Sequence, residues 1–167
     1  QLIWPTSIAL DSLNRVYVSD EYTHRISIFE DSGKFIAKWG LYGANPGELD
    51  GPSGIAFDSD DNIHVVDHNN ARIQKFTTEG RFLGSFGSSG TDDGQLNLPW
   101  GLTIDPKGDV YVANWGNSRV DRFTADGKFM ARYGVPGHRD GELHRPSSVT
   151  VDDEGYVYVS DWGNERV

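Results

Sequence analysis

The chain repeats itself every 47 residues. A proline opens each copy, and these prolines are Pro5, Pro52, Pro99 and Pro146. The spacing is constant, so no insertion or deletion separates the copies. Self-similarity at a period of about 20 to 50 residues is typical of proteins built from stacked structural units. The sequence therefore divides into three full repeats and an incomplete fourth, 5–51, 52–98, 99–145 and 146–167, within one repeat segment spanning residues 1–167.

Each copy predicts four short β-strands separated by turns, and the third copy shows them most clearly. Strands are expected over 101–105, 110–113, 119–123 and 128–133, where β-branched and aromatic residues alternate with polar ones. The hairpin between strands three and four is predicted to need positive φ at its glycine, which recurs as Gly33, Gly80 and Gly127. An aspartate after strand one is predicted to accept backbone hydrogen bonds in an Asx turn, and it recurs as Asp11, Asp58, Asp105 and Asp152.

The strand pattern predicts an all-β fold in which every sheet is covered on both faces. Four-stranded antiparallel blades stacked around an axis satisfy that requirement. A β-sandwich is the weaker alternative, because it would leave half of each alternating pattern in water. We therefore predict an open partial β-propeller with three full blades and the first two strands of a fourth. Its bare outer faces predict self-association, or further blades that close the ring.

Composition limits the classes of partner. The chain carries 25 acidic and 15 basic side chains, for a net charge of −10, which disfavours nucleic acids and anionic membrane surfaces. No run of about 18 uncharged apolar residues offers a membrane-spanning helix. There is no cysteine, which excludes disulfides and thiolate metal sites but leaves the compartment open.

Several segments resemble NHL repeats. They are the P-x-G-[IL]-x-[FI]-D pattern at Pro52, the V-x-V-[SA]-[DN]-x-x-N-x-R-[IV] segments and the closing D-G-K-F. NHL proteins form β-propellers, usually six-bladed, and the resemblance covers essentially the whole chain. It implies that this chain is either a fragment or a protomer that completes its ring elsewhere.

The connections from strand four to one and from strand two to three are expected to emerge on one face of the propeller. Aromatic and polar residues at variable loop positions suit binding of a protein, peptide or glycan. The candidate ligand-binding residues are Tyr22, His68, Asn69, Trp100, Trp115 and Trp162. The alternative, in which the tryptophans only cap the core between adjacent blades, is equally consistent with the sequence.

A second recurring feature pairs the residue that ends strand two with an arginine five positions later. The pairs are Asp20 with Arg25, Asp67 with Arg72, Asn114 with Arg119, and Asp161 with Arg166. We interpret them as a structural lock between carboxylate and guanidinium. A ring of these carboxylates around a calcium ion is the alternative, although recurrence in every blade favours the lock. No other cofactor or metal is predicted, because the five histidines lack ligand spacing.

These features favour a non-catalytic scaffold. The alternative is a fragment of a six-bladed lyase, lactonase or other hydrolase with a metal in its central channel. Peptide-amidating lyases resemble NHL propellers, but Trp100 and Ser147 stand where a lyase-like motif would place histidine. RNA-binding NHL domains use a basic loop face, whereas the loops here are mainly acidic, so no nucleic-acid partner is expected.

Overall fold

A computed structural model describes residues 1–167 and shows three four-stranded antiparallel sheets, here called blades 1 to 3, and a two-stranded blade 4. Blade 1 consists of β1 (Pro5–Leu10), β2 (Val16–Asp20), β3 (Arg25–Phe29) and β4 (Phe35–Trp39). Blade 2 consists of β5 (Pro52–Phe57), β6 (Ile63–Asp67), β7 (Arg72–Phe76) and β8 (Phe82–Phe86). A short parallel ladder of β9 (Ser88–Ser89) and β10 (Gln95–Leu96) follows.

Blade 3 and blade 4 continue the same order. Blade 3 consists of β11 (Pro99–Ile104), β12 (Val110–Asn114), β13 (Arg119–Phe123) and β14 (Phe129–Tyr133). The second ladder contains β15 (Val135–Pro136) and β16 (Glu142–Leu143), and blade 4 contains β17 (Pro146–Val151) and β18 (Val157–Asp161). The all-β open propeller predicted from the repeat pattern is confirmed. No helix here combines the length and apolar character needed to cross a membrane.

The strand boundaries differ from the predicted ones at four places in blade 3. Strand one ends at Ile104, one residue earlier than expected, and strand two ends at Asn114, one residue later. Strand one begins at Pro99 rather than at residue 101, because the proline pairs with Asn114 before a register shift. Proline is compatible with the first position of a strand, where its missing N–H is not needed. Strand four begins at Phe129, one residue later than expected.

The predicted turn chemistry is confirmed. In all four copies one oxygen of the Asx-turn aspartate accepts the N–H groups two and four residues later; in blade 3, Asp105 accepts from Lys107 at 2.9 Å and Asp109 at 3.0 Å. The hairpin glycines have φ of +83° or +84°. At Gly80 and Gly127 a Cβ would also collide with the preceding blade, at Trp39 and Phe86. Glycine is therefore required there by both backbone conformation and packing.

The core lies between the blades. One cluster joins blades 1 and 2, a second joins blades 2 and 3, and a third joins blades 3 and 4. Aromatic side chains carry part of the contact, since Trp39 of β4 packs on Phe76 of β7 with centroids 4.9 Å apart, and Phe86 packs on Phe123 in the same way at 5.1 Å. A blade is thus covered by its neighbours, and burying one such large apolar side chain contributes about 1.5 to 3 kcal/mol.

Equivalent residues show the effect of a neighbouring blade directly. Ile55 on the first strand of blade 2 is 4% exposed and Leu102 on blade 3 is 8% exposed, whereas Ile8 at the same repeat position of blade 1 is 66% exposed. The three residues are similar in chemistry and in strand position. Their burial is therefore decided by whether another blade packs on that face.

Candidate binding site on the loop face

Two sets of loops meet on one side of the propeller, which we call the loop face. It is formed by the strand two-to-three loops at 21–24, 68–71, 115–118 and 162–165, and by the long connections at 40–51, 87–98 and 134–145. Backbone hydrogen bonds join the two sets: the N–H of His68 donates to Gly51, that of Gly116 to Asn97, and that of Gly163 to His144. The loop face is consequently a connected surface.

The recurring residue at the end of strand two anchors these loops. In every copy its side-chain oxygen accepts the backbone N–H of the residue 17 positions earlier, at distances of 2.6 to 2.9 Å. The four acceptors are Asp20, Asp67, Asn114 and Asp161. Since aspartate and asparagine both carry such an oxygen, the position tolerates either.

Blade 2 shows the complete lock. Buried Asp67 accepts the Arg72 Nε–H at 2.7 Å and the Gln74 Nε2–H at 3.0 Å through one oxygen. Arg72 also donates to the carbonyls of the long connection, with bonds of 2.9 Å to Ala44 and 3.0 Å to Glu48. The pair thus ties the long connection to the blade, as charge-assisted hydrogen bonds are suited to do. Blade 4 repeats the pairing with Arg166 Nε 3.3 Å from Asp161.

The predicted pairing of Asn114 with Arg119 is wrong. Arg119 Nε instead lies 2.9 Å from a carboxylate oxygen of Asp121, two residues further along β13, and Asn114 donates its amide to Asp121 at 2.5 Å. Burial raises the pKa of Asp121, while the hydrogen bonds from Asn114 and Arg119 oppose that rise. In blade 3 the carboxylate stands at position 121 and the amide at position 114, whereas blade 2 has Asp67 and Gln74 at the equivalent positions.

The pairing predicted for Asp20 and Arg25 is also wrong. Arg25 donates through Nη2 to the Gln1 carbonyl at 3.1 Å, and its buried Nε has no hydrogen-bond acceptor. Burial of Asp20 favours its neutral form, but N–H donors such as those of Ile3 and Thr23 outweigh this effect and hold the pKa below its ordinary value. Asp20 is therefore stabilised by backbone groups instead of a guanidinium.

Three tryptophans gather at the junction of blades 3 and 4. Trp100 comes from β11, Trp115 from the loop after β12, and Trp162 from the loop after β18. With Ser147 of β17 they line a cleft of about 370 Å³, which we call the tryptophan cleft. Trp115 and Trp162 each begin a single 3-10 turn of sequence WGN that ends at a residue with positive φ. The repeated turn gives the two indoles equivalent positions in adjacent blades.

Two further side chains support the tryptophan cleft. His68 is buried and lies edge-on to Trp100, with ring centroids 4.9 Å apart. Its Nδ1 lies 2.9 Å from the Pro99 carbonyl oxygen, and because a carbonyl oxygen only accepts hydrogen bonds, Nδ1 carries the proton. The Arg145 guanidinium lies 4.8 Å from the centre of the Trp115 ring. Both contacts restrict the orientation of an indole that lines the cleft.

The six predicted ligand-binding residues divide into two groups. The structure brings four of them together: His68, Trp100, Trp115 and Trp162. The other two lie apart from this group, since the Asn69 amide donates to Asp50 at 3.0 Å and Tyr22 is 64% exposed without an aromatic neighbour. Trp162, on the last blade, is 62% exposed. Sequence reasoning missed Ser147 as a lining residue, although its place after the repeat proline, equivalent to Trp100, was a usable signal.

The opposite side of the propeller holds a charged cluster in blade 2. Asp58 contacts Lys75 Nζ at 2.6 Å and His64 Nε2 at 3.2 Å. Burial alone would raise the pKa of Asp58, but the hydrogen bonds from Lys75, the Asn62 backbone and His64 lower it to about 2. Burial lowers the pKa of His64, whose Nδ1 has no hydrogen-bond partner. Nowhere in the chain do three or more His, Asp or Glu side chains form a group that could hold a metal ion.

Comparison with known proteins connects this architecture to a family. A model described as a 6-bladed beta-propeller matches residues 6–87, and a model of the NHL repeat matches residues 96–123. This chain is an NHL-repeat β-propeller. RING finger protein nhl-1 from Caenorhabditis elegans is 40% identical over 50 residues, which amount to 30% of this propeller chain and 5% of that protein.

Solved structures share the propeller fold at low sequence identity. A protein of unknown function from Bacteroides thetaiotaomicron superposes with a TM-score of 0.79 at 19% identity, over 97% of this chain and 46% of that one. Virginiamycin B lyase from Staphylococcus aureus gives 0.71 at 20% identity, over 95% and 49%. A gluconolactonase from Xanthomonas campestris gives 0.70 at 18% identity, over 96% and 55%. The NHL-repeat propeller described here therefore spans about half the length of these structures, and the likeness concerns the fold.

Proposed function

We propose that this NHL-repeat propeller is a non-catalytic binding module that takes a peptide segment of a partner protein into its tryptophan cleft. The observation that supports the proposal is the convergence of three indoles from two blades on one cleft, with Trp162 largely exposed. Tryptophan is enriched among the residues that dominate binding energy at protein interfaces. A cleft lined this way offers a partner a large apolar contact area.

The chemistry of the lining favours binding over reaction. Ser147 is the one hydroxyl among the lining residues, and it donates to the Ser160 carbonyl at 3.3 Å. The imidazole of His68, which contacts Trp100, is buried and bonded to Pro99. Indoles provide contact surface rather than acid–base groups. The only support for a lyase or hydrolase activity is the similarity of the fold to enzymes with a propeller fold. A shared fold does not by itself imply a shared activity.

A peptide partner is favoured over a glycan for a similar reason. A sugar presents several hydroxyl groups that require hydrogen-bond partners once they leave water. The cleft supplies one side-chain hydroxyl among three indoles. An apolar or partly apolar side chain of a peptide therefore matches the lining better than a carbohydrate does.

The test is selection of peptides from a random displayed library on the immobilised chain, followed by affinity measurement on variants. Trp115→Ala and Trp162→Ala should each weaken the selected peptides about 30-fold or more, the effect of removing a contact that contributes about 2 kcal/mol. Tyr22→Ala is the matched control, because it removes an exposed aromatic side chain of the same face outside the cleft. Selected peptides that bind all three variants equally would refute the proposal.

A further inference from the structure

We propose that the tryptophan cleft binds a fully alkylated ammonium group, presented as a trimethylated lysine side chain of the partner peptide. This inference rests on the proposed function, because it names the chemical group that the same cleft accepts. Three properties support it: the lining of the cleft, the hydrogen-bonding capacity of that lining, and the charge around it.

The lining consists almost entirely of indole rings. Trp100, Trp115 and Trp162 border one space, and no pair of them stacks ring on ring. Indole is the aromatic side chain with the strongest attraction for a cation placed over its face. Unstacked indoles around a common space leave those faces available to a ligand.

The hydrogen-bonding capacity selects among cations. A primary ammonium carries three N–H donors and a guanidinium carries five. Ser147 is the only lining residue other than the indoles, so most of those donors would lose their water without replacement. A trimethylammonium group has no N–H donor, and its methyl groups can pack against indole rings. The cleft therefore fits the alkylated cation better than unmodified lysine or arginine.

The surrounding charge favours a cationic ligand. The chain has a net charge of −10, and the loops of blades 3 and 4 contribute five carboxylates against Arg139 and Arg145; the carboxylates are Asp92, Asp93, Asp140, Glu142 and Glu165. Asp93 and Asp140 have exposed side chains, and each lies within 4 Å of an arginine, Arg132 and Arg166 respectively. A surface of one sign raises the local concentration of ligands of the opposite sign.

The chain already places a cation of its own on one of these indoles. The Arg145 guanidinium lies 4.8 Å from the Trp115 ring centre, within the distance of a cation–π contact. Arg145 is not a lining residue of the tryptophan cleft, and its guanidinium covers one face of Trp115, so a ligand is expected on the other face. The contact shows that this ring accepts a cation in its local environment.

The test uses two short peptides of identical sequence, Ala-Gly-X-Gly-Ala, in which X is trimethyllysine or its uncharged tert-butyl isostere. The indole N–H signals of the chain's five tryptophans are followed by two-dimensional NMR during titration. Trp100, Trp115 and Trp162 should shift with the trimethyllysine peptide, while Trp4 and Trp39, which lie outside the cleft, serve as internal controls. Binding of the charged peptide should be about tenfold or more tighter than that of the isostere, and Trp162→Ala should weaken it at least about tenfold.

Three outcomes would overturn the inference: equal affinity for the isostere, equal or tighter binding of an unmodified lysine peptide, or no shift with the trimethyllysine peptide. Each leaves the proposed function intact if display-selected peptides still require Trp115 and Trp162. Selected peptides that bind independently of both tryptophans would remove the proposed function itself, so the two failures are distinguishable.

Discussion

The different positions of the buried carboxylate in blades 2 and 3 predict a strong energetic coupling between two side chains. Blade 2 has Asp67 and Gln74, whereas blade 3 has Asn114 and Asp121 at the same repeat positions. In both blades one carboxylate receives the arginine Nε–H and one side-chain amide N–H. The perturbation is to install the blade 3 arrangement in blade 2 through Asp67→Asn, Gln74→Asp and their combination.

Each single substitution should destabilise the chain. Asp67→Asn removes the carboxylate from Arg72, whose side chain is only 15% exposed. Breaking a buried ion pair costs about 3 to 5 kcal/mol, and we expect about 3 because Arg72 keeps its carbonyl partners. Gln74→Asp places a second carboxylate beside Asp67, where the present contact is 3.0 Å, and should cost about 2 kcal/mol through like-charge repulsion and desolvation.

The double variant should recover most of this loss. The amide oxygen introduced at position 67 can accept the Asp50 N–H, as Asn114 accepts the equivalent N–H in blade 3. The carboxylate introduced at position 74 can receive the Arg72 Nε–H, as Asp121 receives that of Arg119. If the two single effects were independent, their sum would be about 5 kcal/mol. We expect a loss of about 2 kcal/mol or less, hence a coupling of about 3 kcal/mol.

The assay is urea unfolding followed by tryptophan fluorescence, with the slope of the free energy against urea compared across the four proteins. The reciprocal exchange in blade 3, Asn114→Asp with Asp121→Gln, is the matched control and should show coupling of the same sign. Additive single effects in both blades would refute the reasoning, because they would mean that the two positions do not share one charge.

Two further substitutions test the packing of the inner strands and the buried histidine. Gly101→Ala would place a Cβ 2.7 Å from the Ser147 carbonyl oxygen and should lower the free energy of unfolding by about 1 to 3 kcal/mol. The control Gly84→Ala, whose Cβ would have nothing within 4 Å, should stay within about 0.5 kcal/mol of wild type in the same urea assay. Equal losses of stability in the two variants would contradict the close approach of blades 3 and 4. Burial lowers the pKa of His64 in the folded chain. The unfolded chain therefore binds a proton at about pH 6.5 that the folded chain does not bind. As the pH falls from about 7.5 to about 5.5, the wild-type protein should lose stability relative to His64→Tyr. Tyrosine occupies the equivalent position in the other three copies, and parallel pH profiles for the two proteins would show that His64 does not make this contribution.

The repeat sequence determined the local structure of this protein. Period-two alternation between glycine and Asx turns predicted the strands of each copy, and the constant spacing predicted that the copies stack as equivalent blades. The hairpin at Gly127 and the Asx turn at Asp105 followed from residue type alone, because their hydrogen bonds link residues only a few positions apart. Such features depend on backbone preferences that are the same in every copy.

Tertiary structure decided which side chains meet. The sequence placed Trp100, Trp115, Trp162 and Tyr22 in one candidate group, but only the first three share a cleft, because that cleft forms where blades 3 and 4 converge. It also predicted the same lock in every copy, but only the folded blade shows that the side chains of Asn114, Arg119 and Asp121 meet. Burial of Ile55 but not of Ile8 likewise follows from the adjacent blade. Local hydrogen bonding is encoded within each repeat, whereas contacts between repeats depend on how whole blades pack.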